Sequence, residues 1–543
     1  MNSKENLLYV YTADFLIYVY IFVEKWYTIV KTEIKGGICL FAKVSSMGIS
    51  GINAFPVDVE IDISRGSPQF DIVGLPDAAV KESRERIRGA LRACSIEFPV
   101  SSVMINLAPA NTKKSGSVHD MAIFMAMLYA QHLIDVPPDN CAFIGEISLN
   151  GDTRHINGVL SMVMLAREMN IGSIFVPYDN VLEASVIDGI KVYGVKNAEE
   201  LILHFRNQKL LSPCKRYIPP ETSYDEHLDF SDVRGQESAK KALEIAAAGG
   251  HNVMLIGTPG CGKSMLAQRM PSILPPLTFE EALETTKIHS VMGLVTEEMP
   301  IITKRPFRDP HHTASEMGLV GGGTIPQPGE ISMAHNGVLF LDEIAEFSRK
   351  TLEVLRQPLE DGKITISRVN GVCSYPCEFM LIGAMNPCPC GYYGHPTIKC
   401  KCSPKKIETY NSKLSGPLME RFDLHVEVAP LKYSDLTSKV RAESSADIRK
   451  RVIAAREIQK ERFKGTSIKC NALITPDLIQ TYCPIDEESD DFLRGIFEKL
   501  HFSGRVHSKI LKVARTIADL EESEVIRKKH ISAAVQYRTL DRN

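Results

Sequence analysis

The 543-residue chain has no basic excess: 63 lysines and arginines stand against 66 aspartates and glutamates, a net charge of −3. The chain as a whole is therefore not a polycation, and contact with a polyanion has to come from local patches. Long apolar runs are also missing. In the aromatic-rich first 35 residues the longest uncharged apolar core, Phe15–Val23, is nine residues, bracketed by Asp14, Glu24 and Lys25. A membrane-spanning helix takes roughly 20. The basic front and small-residue cleavage site of a secretory signal are not evident, and there are no internal repeats. Cysteine is not scarce. The 13 thiols are an odd number, four clustered and the rest scattered, a pattern that fits a reducing cytosol better than a disulfide framework. The expected location is the cytoplasm, with no membrane partner.

What is present begins as a globular pattern near Phe41. The segment 57–64, VDVEIDIS, alternates apolar and acidic residues and predicts a half-buried strand. Strands are also expected over 68–76, 102–109 and 173–177, helices over 77–94 and 120–134, and a hairpin followed by a helix within 143–170. The arginines of 77–94 read first as a solvated helix face. Residues 206–228 are rich in proline and mixed charge and read as a linker. A helix ending at Gly249–Gly250 opens the next region, and beyond Asp435 the pattern is almost wholly helical.

The strongest motif is VMLIGTPGCGKSMLAQRM, 253–270. An apolar strand runs into Gly257, Thr258, Pro259, Gly260, Cys261, Gly262, Lys263 and Ser264, and a helix follows, the context that a G-x-x-x-x-G-K-S phosphate loop requires. Its backbone N–H groups and the helix N-terminus are suited to phosphate oxygens. Lys263 is expected to reach the β- and γ-phosphates of ATP, and Ser264 to ligate Mg²⁺. Downstream, Val338–Leu341 delivers Asp342 and Glu343 at a strand's carboxyl end. Asp342 is the second candidate Mg²⁺ ligand and Glu343 the candidate base that polarises water. A further strand ends at Asn386, whose amide can orient that water. Arg421 precedes another apolar strand and reads as a finger for a neighbouring subunit's γ-phosphate, or as a buried ion pair.

The order P-loop, Asp-Glu, Asn, Arg, helical tail is that of an AAA+ ATPase. The segments 305–347, RPFRDPHHTASEMGLVGGG through NGVLFLDEIAEF, and 355–369, LRQPLEDGKITISRV, resemble the magnesium-chelatase-like branch. With FDIVGLPDAAVKESRERIRGAL and KILKVARTIADLE the chain resembles the ComM/YifB family over roughly residues 40–540. The resemblance implies an α/β fold in three parts: a Lon-protease-like α+β domain at 40–205, a P-loop α/β domain at 229–430 and a C-terminal helical lid at 431–543, with 206–228 as linker. It further implies a ring, hexameric on the family pattern, that hydrolyses ATP and moves DNA as a branch-migrating helicase during natural transformation. By motif match Arg505 is the sensor 2 arginine. Insertions in this branch point into the ring channel, which makes Lys304, Arg305, Arg308, Lys363 and Arg368 candidate DNA contacts. A chelatase-type motor that remodels a protein partner shares every ATPase motif and is the alternative reading. Residues 1–39 lie outside the family pattern and are expected to be an over-extended reading frame, with a non-AUG start near Leu40.

A Lon-like domain raises the possibility of peptidase activity, which needs a serine activated by a lysine amine. Ser115 and Ser117 stand in the matching segment, but Leu160 falls where the lysine is due, and no lysine occurs between Gly151 and Lys191. No peptidase activity is expected. The remaining motif is NPCPCGYYGHPTIKCKC, 386–402. Cys388, Cys390, Cys400 and Cys402 form two Cys-x-Cys pairs suited to a closed tetrahedral Zn²⁺ site, and His395 could replace one thiol. Disulfides are the other chemistry four thiols allow.

Overall fold

The computed structural model describes residues 40–135, 138–220, 228–323, 326–368, 371–430, 442–500 and 502–538. The expected extension 1–39, most of the linker's second half (221–227) and the start of the expected lid (431–441) lie outside the described residues. The chain divides into two compact units. The first reaches Ile218 and also takes in Gly293–Pro300; the second holds Pro219–Met292 and everything from Ile301 on. Thus a short piece from inside the expected ATPase region belongs to the first unit.

The first unit is built on a seven-stranded sheet in the order β3-β4-β2-β1-β5-β8-β9. Its strands are β1 (Leu40–Ser50), β2 (Asn53–Ser64), β3 (Gln69–Val73), β4 (Ser102–Ala108), β5 (Cys141–Phe143), β8 (Ser173–Pro177) and β9 (Lys191–Val195). A separate hairpin is formed by β6 (Glu146–Ile147) and β7 (Thr153–Arg154). β1 pairs antiparallel with β2 and parallel with β5, so the sheet is mixed. In β2 the expected alternation holds: Val57, Val59, Ile61 and Ile63 are buried, and the acidic residues between them are not. Helix Asp120–Ala130 packs on β1 and β2 and is buried almost all round. It stops four residues short of the sequence expectation, because Gln131 ends it and His132 adopts a left-handed φ of 57°. The expected helix 77–94 is two segments, Ala78–Lys81 and Ser83–Ala93, parted at Glu82.

The second unit is built on a five-stranded, all-parallel sheet, order β11-β14-β17-β10-β18. These are β10 (Val253–Gly257), β11 (Phe307–Arg308), β14 (Val338–Leu341), β17 (Met380–Met385) and β18 (Leu424–Val428). β14 and β17 are buried along their whole length, as strands covered on both faces are. Two hairpins stand apart from it: β12 (Gly321–Gly322) with β13 (Gln327–Pro328), and β15 (Lys363–Arg368) with β16 (Gly371–Pro376). The C-terminal helices Ser445–Arg462, Glu487–Leu500, Gly504–Leu520 and Lys528–Gln536 do not carry a core of their own. Their apolar faces join the core of helix Glu237–Gly249 and of β10, β17 and β18 in one cluster.

Candidate nucleotide site

In a parallel α/β sheet ligands bind beyond the carboxyl ends of the strands. Three neighbouring strands, β14, β17 and β10, end there together. β10 runs into the phosphate loop, where Gly260 and Gly262 take φ of 77° and 94°. Only glycine holds such angles without strain, and a Cβ at either would meet nothing within 4 Å. The concave side of the loop is therefore open. Lys263 begins the helix Lys263–Gln268. Its Nζ donates to the carbonyls of Gly257 (2.8 Å) and Thr258 (3.2 Å) and to Asn386 Oδ1 (3.1 Å). Ser264 Oγ donates to Asp342 Oδ2 at 2.5 Å, and Asp342 Oδ1 accepts the Glu343 N–H. Ser264 and Asp342, the residues that would hold a Mg²⁺ ion, thus already face each other, a hard-oxygen donor set of the right kind. Glu343 turns in a left-handed conformation, φ 48°, which breaks the strand and leaves its carboxylate exposed. Lys263, Ser264, Asp342, Glu343 and Asn386 therefore come from separate stretches to one edge.

Arg421 and Arg505 lie elsewhere. The Arg421 carbonyl accepts from the side chain of Asn252, the residue before β10, and the Asn252 carbonyl accepts from Asp423 and Leu424 N–H. This is the amino end of the sheet, about 15 Å from the phosphate loop at roughly 3.3 Å per residue of β10. Arg421 pairs with Glu360 and Arg505 with Glu420. Burial, and then the nearby Arg505 and Arg356, hold the Arg421 pKa below its usual value. Neither arginine can reach the phosphate loop of its own chain.

The candidate DNA contacts divide in two. Lys363 and Arg368 are exposed at the two ends of β15, whose Ile364 and Ile366 face inward. Arg305 instead donates to the carbonyls of Pro275 (2.6 Å) and Asn336 (2.7 Å) and to Glu281, and Arg308 forks onto Glu330 at 2.6 and 2.8 Å. Those guanidiniums are engaged within the fold; Lys304 beside them is exposed.

His311 and His312 are not among the residues that the sequence motifs single out. β11 pairs in parallel beside β14, so the residues after it arrive at the same edge, and His312 Nδ1 lies 3.9 Å from Glu343 Oε2. β11 is two residues long, too short for a periodicity signal.

In the first unit Ser117 Oγ donates to Glu146. Leu160 is fully buried, and its N–H donates to Glu183. Lys114 is buried too; its ammonium donates to the Pro109 carbonyl, and burial draws its pKa down.

The four cysteines close on one another. Their sulfurs all lie within 4.8 Å, with Cys388 3.3 Å from Cys390 and 3.7 Å from Cys400, and Cys390 3.5 Å from Cys400. A tetrahedron with Zn–S of about 2.3 Å places its sulfurs about 3.8 Å apart, whereas a disulfide needs about 2.05 Å. The thiols are free. Backbone N–H groups of Tyr392 and Lys401 aim at the Cys390 sulfur.

Sequence comparison supplies the lineage. The magnesium chelatase subunit ChlI family model matches residues 229–436, the model for subunit ChlI of Mg-chelatase matches 59–180, and the ChlI C-terminal model matches 442–538. The chain is 42% identical to protein YifB of Escherichia coli K12 over 498 residues, 91% of this chain and 96% of that one. It is 40% identical to competence protein ComM of Haemophilus influenzae over 509 residues, 92% and 98% of the two chains. The chain belongs to the ComM/YifB family. A shorter match, 27% identical over 241 residues, is to Lon protease 2 of Bacillus subtilis, covering 38% of this chain and 40% of the protease. The ComM/YifB likeness spans both units, so the family is defined by their combination and not by the phosphate loop alone. Among the described residues no helix is long and apolar enough to cross a membrane.

Proposed function

We propose that this protein is an ATP-hydrolysing AAA+ motor that acts on DNA as a ring, a hexamer on the family pattern, promoting branch migration during uptake and recombination of DNA. The observation that carries the ATPase reading is the meeting of Lys263, Ser264, Asp342 and Asn386 at the carboxyl edge of three adjacent parallel strands. In this reading Lys263 and the N–H groups of Gly257–Ser264 hold the phosphates, and Ser264 and Asp342 would hold a Mg²⁺ ion, whose chemistry when bound is to supply positive charge to the phosphates. Glu343 takes the proton of the attacking water, and Asn386 orients that water.

The ring reading is supported by Arg421 and Arg505: both lie away from their own phosphate loop, and in this reading they serve the next copy, so that hydrolysis needs assembly. DNA is favoured over a protein partner by Lys363 and Arg368, exposed on a strand of the β15–β16 hairpin whose other face is buried. The comparison with competence protein ComM agrees with this. The four-thiol cluster holds a structural Zn²⁺. The first unit keeps a Lon-like fold without peptidase chemistry.

The test is strand displacement and branch migration on forked and four-way DNA with ATP and Mg²⁺. The expected result is ATP-dependent product, absent in Glu343→Gln, with ATP hydrolysis stimulated by DNA. Hydrolysis indifferent to DNA, with no displacement, would overturn the DNA reading and leave the protein-remodelling alternative.

A further inference from the structure

The cysteine knuckle and the helix that follows it meet the nucleotide machinery at three points. First, Gly391, between Cys390 and Tyr392, holds φ 82° and meets the phosphate loop: a Cβ there would stand 2.5 Å from Pro259 Cδ and 2.6 Å from Cγ. Second, the helix Pro404–Asn411 follows the last cysteine directly, capped by Ser403. From it the buried Tyr410 hydroxyl approaches the backbone N–H of Asn386, the residue whose amide meets Lys263. Third, Lys413 pairs at 3.3 Å with Glu346, in the turn that follows Glu343. One short segment therefore braces the phosphate loop, the Asn386 backbone and the Asp342–Glu343 turn.

The segment between Cys388 and Cys402 has no helix or strand of its own. No helix or strand holds Gly391; a turn bond from its N–H to the Cys388 carbonyl (2.9 Å) ties it to the first thiol residue, and cross-linking of the thiols would fix that turn against the rest of the loop. A closed metal site supplies that, because metal-binding free energy becomes folding free energy of the loop it closes. We propose that zinc at Cys388, Cys390, Cys400 and Cys402 sets the affinity of the phosphate loop for nucleotide, with Gly391 against Pro259 as the point of transmission. This rests on the zinc reading above. It makes the metal a positioning element for nucleotide binding, beyond local architecture.

The experiment uses the full chain. Zinc is counted by elemental analysis, then removed with a zinc-selective chelator in excess Mg²⁺, and binding of a fluorescent ADP analogue is titrated before, after, and on zinc return. One zinc per chain, a loss of ADP affinity of about fivefold or more, recovery with zinc and an unchanged far-UV dichroism spectrum are expected. Gly391→Ala is expected to keep its zinc and still bind ADP more weakly, because its Cβ displaces Pro259. One zinc per chain with ADP affinity indifferent to both manipulations would overturn the coupling and leave the zinc site standing. Preparations that never hold zinc would overturn the metal reading itself. Global unfolding on zinc removal would overturn the coupling in favour of a purely structural metal.

Discussion

The buried polar network of the first unit and the nucleotide edge of the second handle polar chemistry in opposite ways. In the first, polar side chains point inward and are consumed. Ser46 Oγ meets His119 Nδ1 at 3.0 Å with both residues fully buried, and burial with the nearby Lys114 pushes the His119 pKa down to about 3. Asp120, also fully buried, accepts from Ser83 at 2.5 Å and Arg86 at 2.6 Å. At the nucleotide edge of the second, polar side chains are bonded to one another, Lys263 to Asn386 and Ser264 to Asp342, while the helices of the same unit bury a network of their own around Arg515 and Asp519. The edge bonds are exchangeable, because an incoming phosphate and its metal can take both partners of each. An inward network supports a fold, whereas an edge network of mutual placeholders supports a reaction.

The largest expected effect attacks that contrast directly. Glu343→Gln should lower ATP hydrolysis about 10²–10⁴-fold, the usual contribution of a positioned base, with nucleotide still bound. Ser117→Ala should change neither hydrolysis nor casein digestion. Casein cleavage by the wild type that disappears in Ser117→Ala would break the comparison, since the first unit would then carry a working site. Next in size, Asp120→Ala should destabilise the first unit by about 3–5 kcal/mol, because removing one partner of a buried pair leaves the other uncompensated. Calorimetry should show that loss while nucleotide affinity stays at the wild-type value.

Much of the site can be read from short stretches. The phosphate loop and Asp342–Glu343 each follow an apolar run that is visible alone, and β2 shows itself by strict alternation. The rest depends on distant pairing. In β1 the buried run Ser46–Met47–Gly48 hides the period of two, because the middle of the strand is covered on both faces. Nothing near Arg421 in sequence says that it lies at the amino edge of the sheet; that follows from Asn252 binding its carbonyl. Cys388 and its neighbours announce a thiol cluster, yet the contact of Gly391 with Pro259 joins segments remote in the chain. The placement of Gly293–Pro300 in the first unit has no local signature at all.

Acid offers a smaller effect that treats both units alike. His119 in the first and His425 in the second are each held neutral, with pKa values near 3: His119 by burial and Lys114, His425 by burial together with Arg538 and Lys509. The unfolded chain takes up these protons near pH 6.5 and the native chain does not until about 3. Stability from each histidine is therefore full above pH 6.5 and lost as pH falls through that window, by about 1.4 kcal/mol per pH unit. Melting curves between pH 7 and 5 should show both units weakening, and His119→Gln should flatten the response of the first unit only. A first unit whose melting ignores pH would mean that His119 is not held neutral there, and the inward network would lose its clearest member.

The smallest effect separates two kinds of arginine within the second unit. Lys363→Ala with Arg368→Ala removes exposed cations from the hairpin formed by β15 and β16, with no change to its inward Ile364 and Ile366. Each phosphate contact releases condensed counterions, worth about 0.7 in the log–log salt slope on single strands and about 0.9 on duplex. The double variant should therefore bind DNA several-fold more weakly, with a slope shallower by about 1.5, and bind nucleotide normally. Arg305→Ala and Arg308→Ala should do the reverse. Their donors serve Pro275, Asn336, Glu281 and Glu330, so their loss should lower the melting temperature and leave the salt slope alone. If the salt slope instead followed Arg305 and Arg308, those arginines would have to leave their carboxylates on DNA, and the line between fold-serving and ligand-serving charge would run through each side chain.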